Sequence, residues 1–211
     1  MFNTWDERYS SPEYVYGTEP NEFFRSELIK LPPGRLFLPA EGEGRNAVFA
    51  AGRGWAVTAV DFSREGMKKA KRLAEQSGVS IDYTVSDLHD YDIPTEAFDA
   101  VGLIYCHIPA ALRTTFHQKI INSLKPGGTV ILEAFNKRQL TRTSGGPKSD
   151  DLLYDMNGLK NDFASLEFEK LIELTVGLEE GEGHSGAAEI IRLLARKSIS
   201  YQNISIFAVC L

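Results

Sequence analysis

Between residues 34 and 135 short apolar runs alternate with segments of helical periodicity, and this alternation restricts the chain to βαβ units around a parallel sheet. A tight turn cannot join parallel strands, so each crossover needs its own helix. The strands predicted are 35–38, 55–60, 80–85, 100–105 and 129–135. In the fourth the apolar residues do not alternate with polar ones, which marks a strand covered on both faces. Ser63 caps a helix whose Met67, Ala70, Leu73 and Ala74 share one face and which Gly78 ends. On the same helix Lys68, Lys69, Lys71 and Arg72 read as a solvent-facing basic patch. Leu112, Phe116, Ile120 and Leu124 recur at intervals of four and form a second stripe, stopped by Pro126, Gly127 and Gly128.

The chain has 211 residues, 43% of them hydrophobic and 25% charged, which predicts one globular domain large enough to enclose a pocket. A net charge of -6 and no basic stripe weigh against a nucleic-acid partner. Cys106 and Cys210 stand far apart without a CxxC neighbour, so neither a disulfide framework nor a metal site is expected, and a reducing, cytoplasmic setting is. The first ten residues lack the basic start and apolar core of a secretory signal. Apolar runs reach only about seven residues, against the roughly 20 of a membrane span. Outside the alternation lie residues 1–31, with Trp5, Tyr9 and Tyr16 as a lid; a polar excursion at 136–162; strands at 168–178 and 188–197 joined by a turn at 179–186; and a tail, 198–211, suited to an added strand or a partner contact. A monomer or a homodimer is expected.

Chemistry concentrates at the strand ends. The segment Glu41-Gly42-Glu43-Gly44-Arg45-Asn46-Ala47 follows a strand and opens a helix. There Gly42 and Gly44 permit a tight turn, and the helix start offers free N–H groups to a polar ligand. Close packing is the competing explanation. Asp61 stands nineteen residues after Gly42, the spacing at which a carboxylate accepts from both hydroxyls of a ribose; helix capping is its alternative. Asp87 is placed to accept from an exocyclic amine while Leu88 covers a flat ring. The three positions are successive strand tips, so together they predict one adenosine-containing ligand. Beyond them, His107 and His184 are candidates for orienting an anion or taking a proton. Cys106 reads as a small core residue. Arg113 and His117 share a helix face, either offered to an anionic acceptor or simply exposed.

With the runs Phe98-Asp99-Ala100-Val101 and Leu124-Lys125-Pro126-Gly127-Gly128-Thr129-Val130-Ile131-Leu132, this constellation resembles the class I S-adenosylmethionine-dependent methyltransferases over residues 5–197. Trp5-Asp6-Glu7-Arg8-Tyr9, Gly44-Arg45-Asn46 and the late His184 resemble the small tellurite-resistance and thiol methyltransferase group within that class. The resemblance implies an α/β fold: a seven-stranded Rossmann-like methyltransferase sheet, order 3-2-1-4-5-7-6, the last strand antiparallel, with helices on both faces. It also implies S-adenosylmethionine as cofactor and S-adenosylhomocysteine as product. Gly42 and Gly44, flanked by Glu41, Glu43 and Arg45, would approach the methionyl part. Asp61, with Phe62 beside it, would hold the ribose, and Asp87 with Leu88 the adenine. Tyr105 would lie near the sulfonium, with Trp5 and Tyr9 above the cofactor. The family's acidic residue and first glycine are replaced by Leu38 and Ala40, and Glu41 or Glu43 is assigned the missing carboxylate's role. Methyl transfer from a sulfonium is an in-line displacement whose main demands are alignment and exclusion of water. A small thiol, selenite or tellurite can attack without a strong base, whereas an alcohol profits from one, supplied by His107 or His184. Two alternatives remain open. Gly42 to Ala47 also satisfies the G-x-G-x-x-A of an NAD(P)-binding oxidoreductase, and Leu38 and Ala40 suit a catalytically silent S-adenosylmethionine-binding module.

Overall fold

The computed structural model describes residues 2–199. Seven strands form one sheet: β1 (Arg35–Pro39), β2 (Ala56–Asp61), β3 (Asp82–Val85), β4 (Phe98–Ile104), β5 (Leu124–Phe135), β6 (Glu167–Glu180) and β7 (His184–Arg196). Their spatial order is β3-β2-β1-β4-β5-β7-β6. The first five are parallel to one another, and β7 runs antiparallel to both β5 and β6. This is the sheet that the resemblance implied. It departs from the usual dinucleotide-binding order, in which β6 adds directly and in parallel. Strand order reverses between β1 and β4, so their carboxyl ends flank a crevice, the place where open α/β sheets bind ligands.

Burial follows the pleat. Leu36 and Leu38 of β1 pack with α2 (Glu22–Leu28), α3 (Arg45–Ala51) and α4 (Arg64–Gln76), while Phe37 between them packs on the other face with α5 (Ala110–Ser123) and α6 (Met156–Asp162). All three side chains are fully buried, as a strand with two covered faces requires. A further helix, α1 (Phe2–Tyr9), not foreseen in the sequence, leads into the segment that crosses the carboxyl edge. No helix among the described residues is long and apolar enough to cross a membrane.

Ser63 caps α4, accepting from the Gly66 N–H at 3.0 Å, and Ala70, Leu73 and Ala74 are buried as expected. Three local expectations change. Lys69 is buried, not solvent-facing, because it points at the carboxylate of Glu43 across the next helix start; Lys68, Lys71 and Arg72 are exposed. On α5 the buried stripe is Phe116, His117, Ile120 and Ile121, while Leu112 is exposed and Leu124 already belongs to β5. The closing hairpin is longer than expected: β6 and β7 pair out to Glu180 and His184, which leaves only residues 181–183 for the turn. Residues 200–211, including Cys210 and most of the expected tail, lie outside the described residues.

Gly44 shows why the glycine motif needs its backbone. Its φ is +87°, and a Cβ there would lie 2.5 Å from the Ala70 Cβ, so the start of α3 meets α4 at a distance only glycine allows. Replacing Gly44 with Ala should lower the unfolding free energy by about 2–3 kcal/mol through combined strain and overpacking, measured by urea denaturation.

Candidate active site

At the tip of β2 the Asp61 carboxylate is nearly inaccessible and takes backbone donors from Ser63, whose N–H lies at 2.8 Å, from Gly42 at 3.0 Å and from Phe62. The Gly42 carbonyl in turn accepts from the Tyr83 hydroxyl at 2.6 Å, so this peptide is clamped from both sides. No side-chain cation approaches Asp61 among the described residues, and burial pushes its carboxyl up to about 6. Ser63, not Asp61, caps α4. The β3 tip is joined to the same place, since the Ser86 N–H donates to the Asp61 carbonyl. Half-buried Asp87 follows, accepting from the His89 N–H at 2.8 Å, and Leu88 packs against the core. Phe62 is half-buried beside Asp61. The tips of β1 and β4 carry Ala40 (φ +55°) and Tyr105 (φ +51°), two non-glycine residues in the left-handed region. Such strain, of order 1–3 kcal/mol at each, gathers at functional sites.

The segment before β1 lies over this edge as a strap. The rings of Trp5 and Tyr9 are 5.4 Å apart and those of Tyr9 and Tyr16 are 6.5 Å apart. A Cβ on Gly42 would meet the Tyr9 hydroxyl at 2.6 Å, so the tyrosine rests directly on the glycine loop. Asp6 accepts from the Ser63 hydroxyl at 2.6 Å. Glu43 fastens the strap most firmly: Oε2 accepts from the Val15 N–H at 2.9 Å, while Oε1 pairs with Lys69 at 2.7 Å, and Lys69 also donates to the Glu13 carbonyl. Glu41 accepts instead from the Ala47 N–H at 2.7 Å and from the Asn46 amide, serving the start of α3; burial pushes it up to about 7. Both glutamates assigned to the missing motif carboxylate therefore have structural partners. Leu38 stands where that carboxylate would be and is accommodated by Gly102, whose absent Cβ would lie 2.6 Å from it.

Arg45, from the same motif, reaches the hairpin. It donates to Glu180 at 3.0 Å and to the Tyr16 carbonyl at 3.1 Å. Asn21 caps α2 and donates to Glu133 at 2.6 Å and to Glu180 at 3.0 Å. Glu133 also accepts from the Tyr105 hydroxyl at 2.9 Å and from Arg192 at 2.6 Å. Asn21, Glu133, Glu180 and Arg192 were not singled out in the sequence. Glu133 gave one signal, a lone carboxylate within an otherwise apolar strand.

Tyr105, Phe135, His107 and His184 line one wall after β4. His184 opens β7 instead of sitting in a turn, and its ring centroid is 4.3 Å from Tyr105, 4.5 Å from Tyr16 and 5.1 Å from Phe135. His107 stacks on Phe135 at 5.7 Å. Its Nδ1 lies 2.8 Å from the Leu152 carbonyl and so carries the proton, which leaves Nε2 a buried lone pair without a partner. Burial lowers this imidazole to about 4, so it is neutral at physiological pH. The excursion at 136–162 packs over this end of the sheet through fully buried Leu153 and through Tyr154, whose hydroxyl donates to the Cys106 carbonyl at 2.7 Å. Arg113 and His117 are neither exposed nor offered to a ligand. Arg113 ties the excursion to α5 through the carbonyls of Ile108, Asp151 and Leu153, and His117 is enclosed with Asp162 at 2.8 Å. Cys106 is buried and pushed up to about 12, an inert thiol. A cavity of about 270 Å³ beside Trp55, Asp99 and Gly127 lies at the opposite edge of the sheet, away from these groups.

The Lys69–Glu43 pair has little water on either side, so removing one partner strands a charge. Lys69→Met should cost about 3–5 kcal/mol in urea denaturation, and adding Glu43→Gln should recover part of that loss by removing the orphaned charge.

Residues 40–128 match the methyltransferase-domain family. A ubiquinone biosynthesis O-methyltransferase of Paramagnetospirillum magneticum is 34% identical over 119 residues, which is 54% of this chain and 47% of that protein. The chain thus spans about half the length of this curated relative. TehB from Haemophilus influenzae superposes with a TM-score of 0.71 at 17% identity, over 92% of this chain and 66% of that one. A structure describing the conversion of a disulfide bond into a thioacetal group during echinomycin biosynthesis gives 0.75 at 19% identity, over 96% and 94% of the two chains. With the strand order, these findings show a match to the methyltransferase domain over residues 40–128, on the fold shared with these solved structures.

Proposed function

We propose that this protein transfers a methyl group from S-adenosylmethionine to a small, uncharged acceptor bearing an S–H or ring O–H group. The observation that carries the donor side is Asp61: a desolvated carboxylate, held by backbone N–H groups with no cation, at the tip of β2 beside the clamped Gly42 backbone. A ribose diol fits this group, since its two O–H donors would replace the water that burial removed. Asp87 and Leu88, one strand over, suit the adenine. Gly42 keeps a side chain out of the space the methionyl part would take, and Tyr9, resting on Gly42, would have to shift or stack as the ligand enters. When bound, S-adenosylmethionine supplies an electrophilic methyl on a sulfonium.

The wall of Tyr105, Phe135, His107 and His184 suits the acceptor. Its rings exclude water, and the unpartnered Nε2 of His107 can accept from an acceptor's S–H or O–H. The cations near this wall are already engaged: Arg45 by Glu180, Lys69 by Glu43, Arg192 by Glu133 and Arg113 by three carbonyls. That favours a neutral thiol or phenol over a selenite or tellurite oxyanion. The ring-hydroxyl class draws support from the ubiquinone O-methyltransferase relative, and the thiol class from the disulfide-to-thioacetal structure. Incubation with donor labelled in its methyl group and a panel of thiols, catechols, selenite and tellurite tests the assignment. Methylation confined to the oxyanions would overturn the acceptor class, and tight S-adenosylhomocysteine binding with no product from any acceptor would point to a silent module. His107→Phe should raise KM for the acceptor about 5- to 10-fold, the worth of one hydrogen bond.

Asp61 sets the pH dependence of binding. The hydroxyls need its ionised form, and burial has raised the free group to about 6, so protonation competes with the ligand below that pH. Calorimetric affinity for S-adenosylhomocysteine should be constant above about pH 7 and fall about ten-fold for each pH unit below 6. Asp61→Asn should weaken binding about 100-fold and remove this dependence.

A further inference from the structure

Three donors from three separate elements converge on the Glu180 carboxylate at the end of β6. His184 Nδ1 lies 3.0 Å from Oε2, Arg45 donates to the same oxygen at 3.0 Å, and Asn21 donates to Oε1 at 3.0 Å. A carboxylate can only accept, so the ring nitrogen facing it carries the proton and Nε2 of His184 is left as the lone pair. His107, against the same Phe135 ring, has its tautomer fixed by a neutral carbonyl. His184 alone of the two has an anion behind it.

We propose that Glu180 is a positioning residue for the acceptor step: it fixes His184 as the Nδ1–H tautomer and stabilises the ring once Nε2 has taken the acceptor's proton. This rests on the methyl-transfer function proposed above. In that step the acceptor's X–H proton passes to Nε2, the electron pair on X forms the bond to the methyl carbon, and the sulfonium sulfur keeps the pair of the broken S–C bond. The resulting imidazolium faces Glu180 as an ion pair, the arrangement of carboxylate, imidazole and nucleophile familiar from hydrolytic triads. Because Arg45 comes from the glycine motif and Asn21 from the strap, the carboxylate takes its place only when motif, strap and hairpin are assembled together.

The groups facing His184 are Glu180 from β6, Arg45 from α3, Glu133 from β5, Tyr105 after β4, Tyr16 from the strap and His107 beside Phe135. Burial lowers the His184 imidazole below its ordinary value, and the Glu180 charge opposes that lowering. Glu180 itself is ionised throughout: against its burial, the His184 ring and the Arg45 guanidinium hold it at about 2. Removing its charge must therefore move the His184 titration to lower pH.

The test compares the full-length wild-type protein with Glu180→Gln and Glu180→Asp. Nitrogen-15 NMR of the histidine rings reads tautomer and titration without any turnover. The expected result is Nδ1–H for His184 in the wild type and a titration about one pH unit or more lower in Glu180→Gln, with Glu180→Asp close to wild type. An Nε2–H tautomer in the wild type, or an unchanged titration in Glu180→Gln, overturns the proposal whatever the assay shows. Turnover is then read with two probe acceptors, 2-mercaptoethanol, protonated at neutral pH, and 4-nitrothiophenol, already ionised. Glu180→Gln should lose about 100-fold or more on the first and much less on the second, because an ionised thiol needs no base. Equal losses on both would make Glu180 merely structural and overturn the proposal. Absence of turnover from wild type with both probes would count against the methyl-transfer function, and the NMR result would still decide whether Glu180 fixes His184.

Discussion

The carboxyl edge of the sheet holds a group of carboxylates stripped of most of their water: Glu41, Glu43, Asp61, Glu133 and, less completely, Glu180. A buried carboxylate without donors costs several kcal/mol, so each must find N–H or O–H groups or a cation inside the protein. Those partners come from remote parts of the chain. Lys69 on α4 and the strap backbone at Val15 and Tyr16 serve Glu43; Asn21, Tyr105 and Arg192 serve Glu133; Arg45, Asn21 and His184 serve Glu180. Satisfying these groups is what draws the strap, the glycine motif and the β6–β7 hairpin together over the crevice. Asp61 is the exception, held by backbone N–H groups alone.

The same constraint explains how the chain departs from the family's glycine motif without losing its geometry. Ala40 takes the left-handed conformation in which a glycine would be at ease, and the clamped peptide at Gly42 holds it there. Leu38, in place of the motif acid, fills space that Gly102 leaves open and joins Phe24 in the core. Its neighbouring glutamates have been redirected to structural tasks, one at the start of α3 and one at the strap. Under the proposed function, recognition of the donor's amino group would fall to groups other than those the motif pattern names.

Much of the fold was legible because periodicity is local. Alternating apolar runs and helical stripes gave the five parallel strands, and Ser63 and Gly78 gave the limits of α4. The placement of the glycine motif, Asp61 and the Asp87–Leu88 pair at successive strand tips could be read because each follows an apolar run that ends in a turn. What escaped were pairings across long sequence separations. Nothing near Lys69 shows that a buried glutamate 26 residues earlier will claim it. His117 read as a surface residue because its partner Asp162 lies on another helix, 45 residues on.

The sequence by itself determined the class of sheet and the strand tips at which the glycine motif, Asp61 and Asp87 stand, since hydrophobic period and turn chemistry act within a few residues. Only the tertiary structure decided which carboxylate is held by backbone donors without a cation, which are consumed in holding the strap, and which histidine is backed by an anion. Those outcomes depend on desolvation, and desolvation is set by what packs across the crevice from elsewhere in the chain.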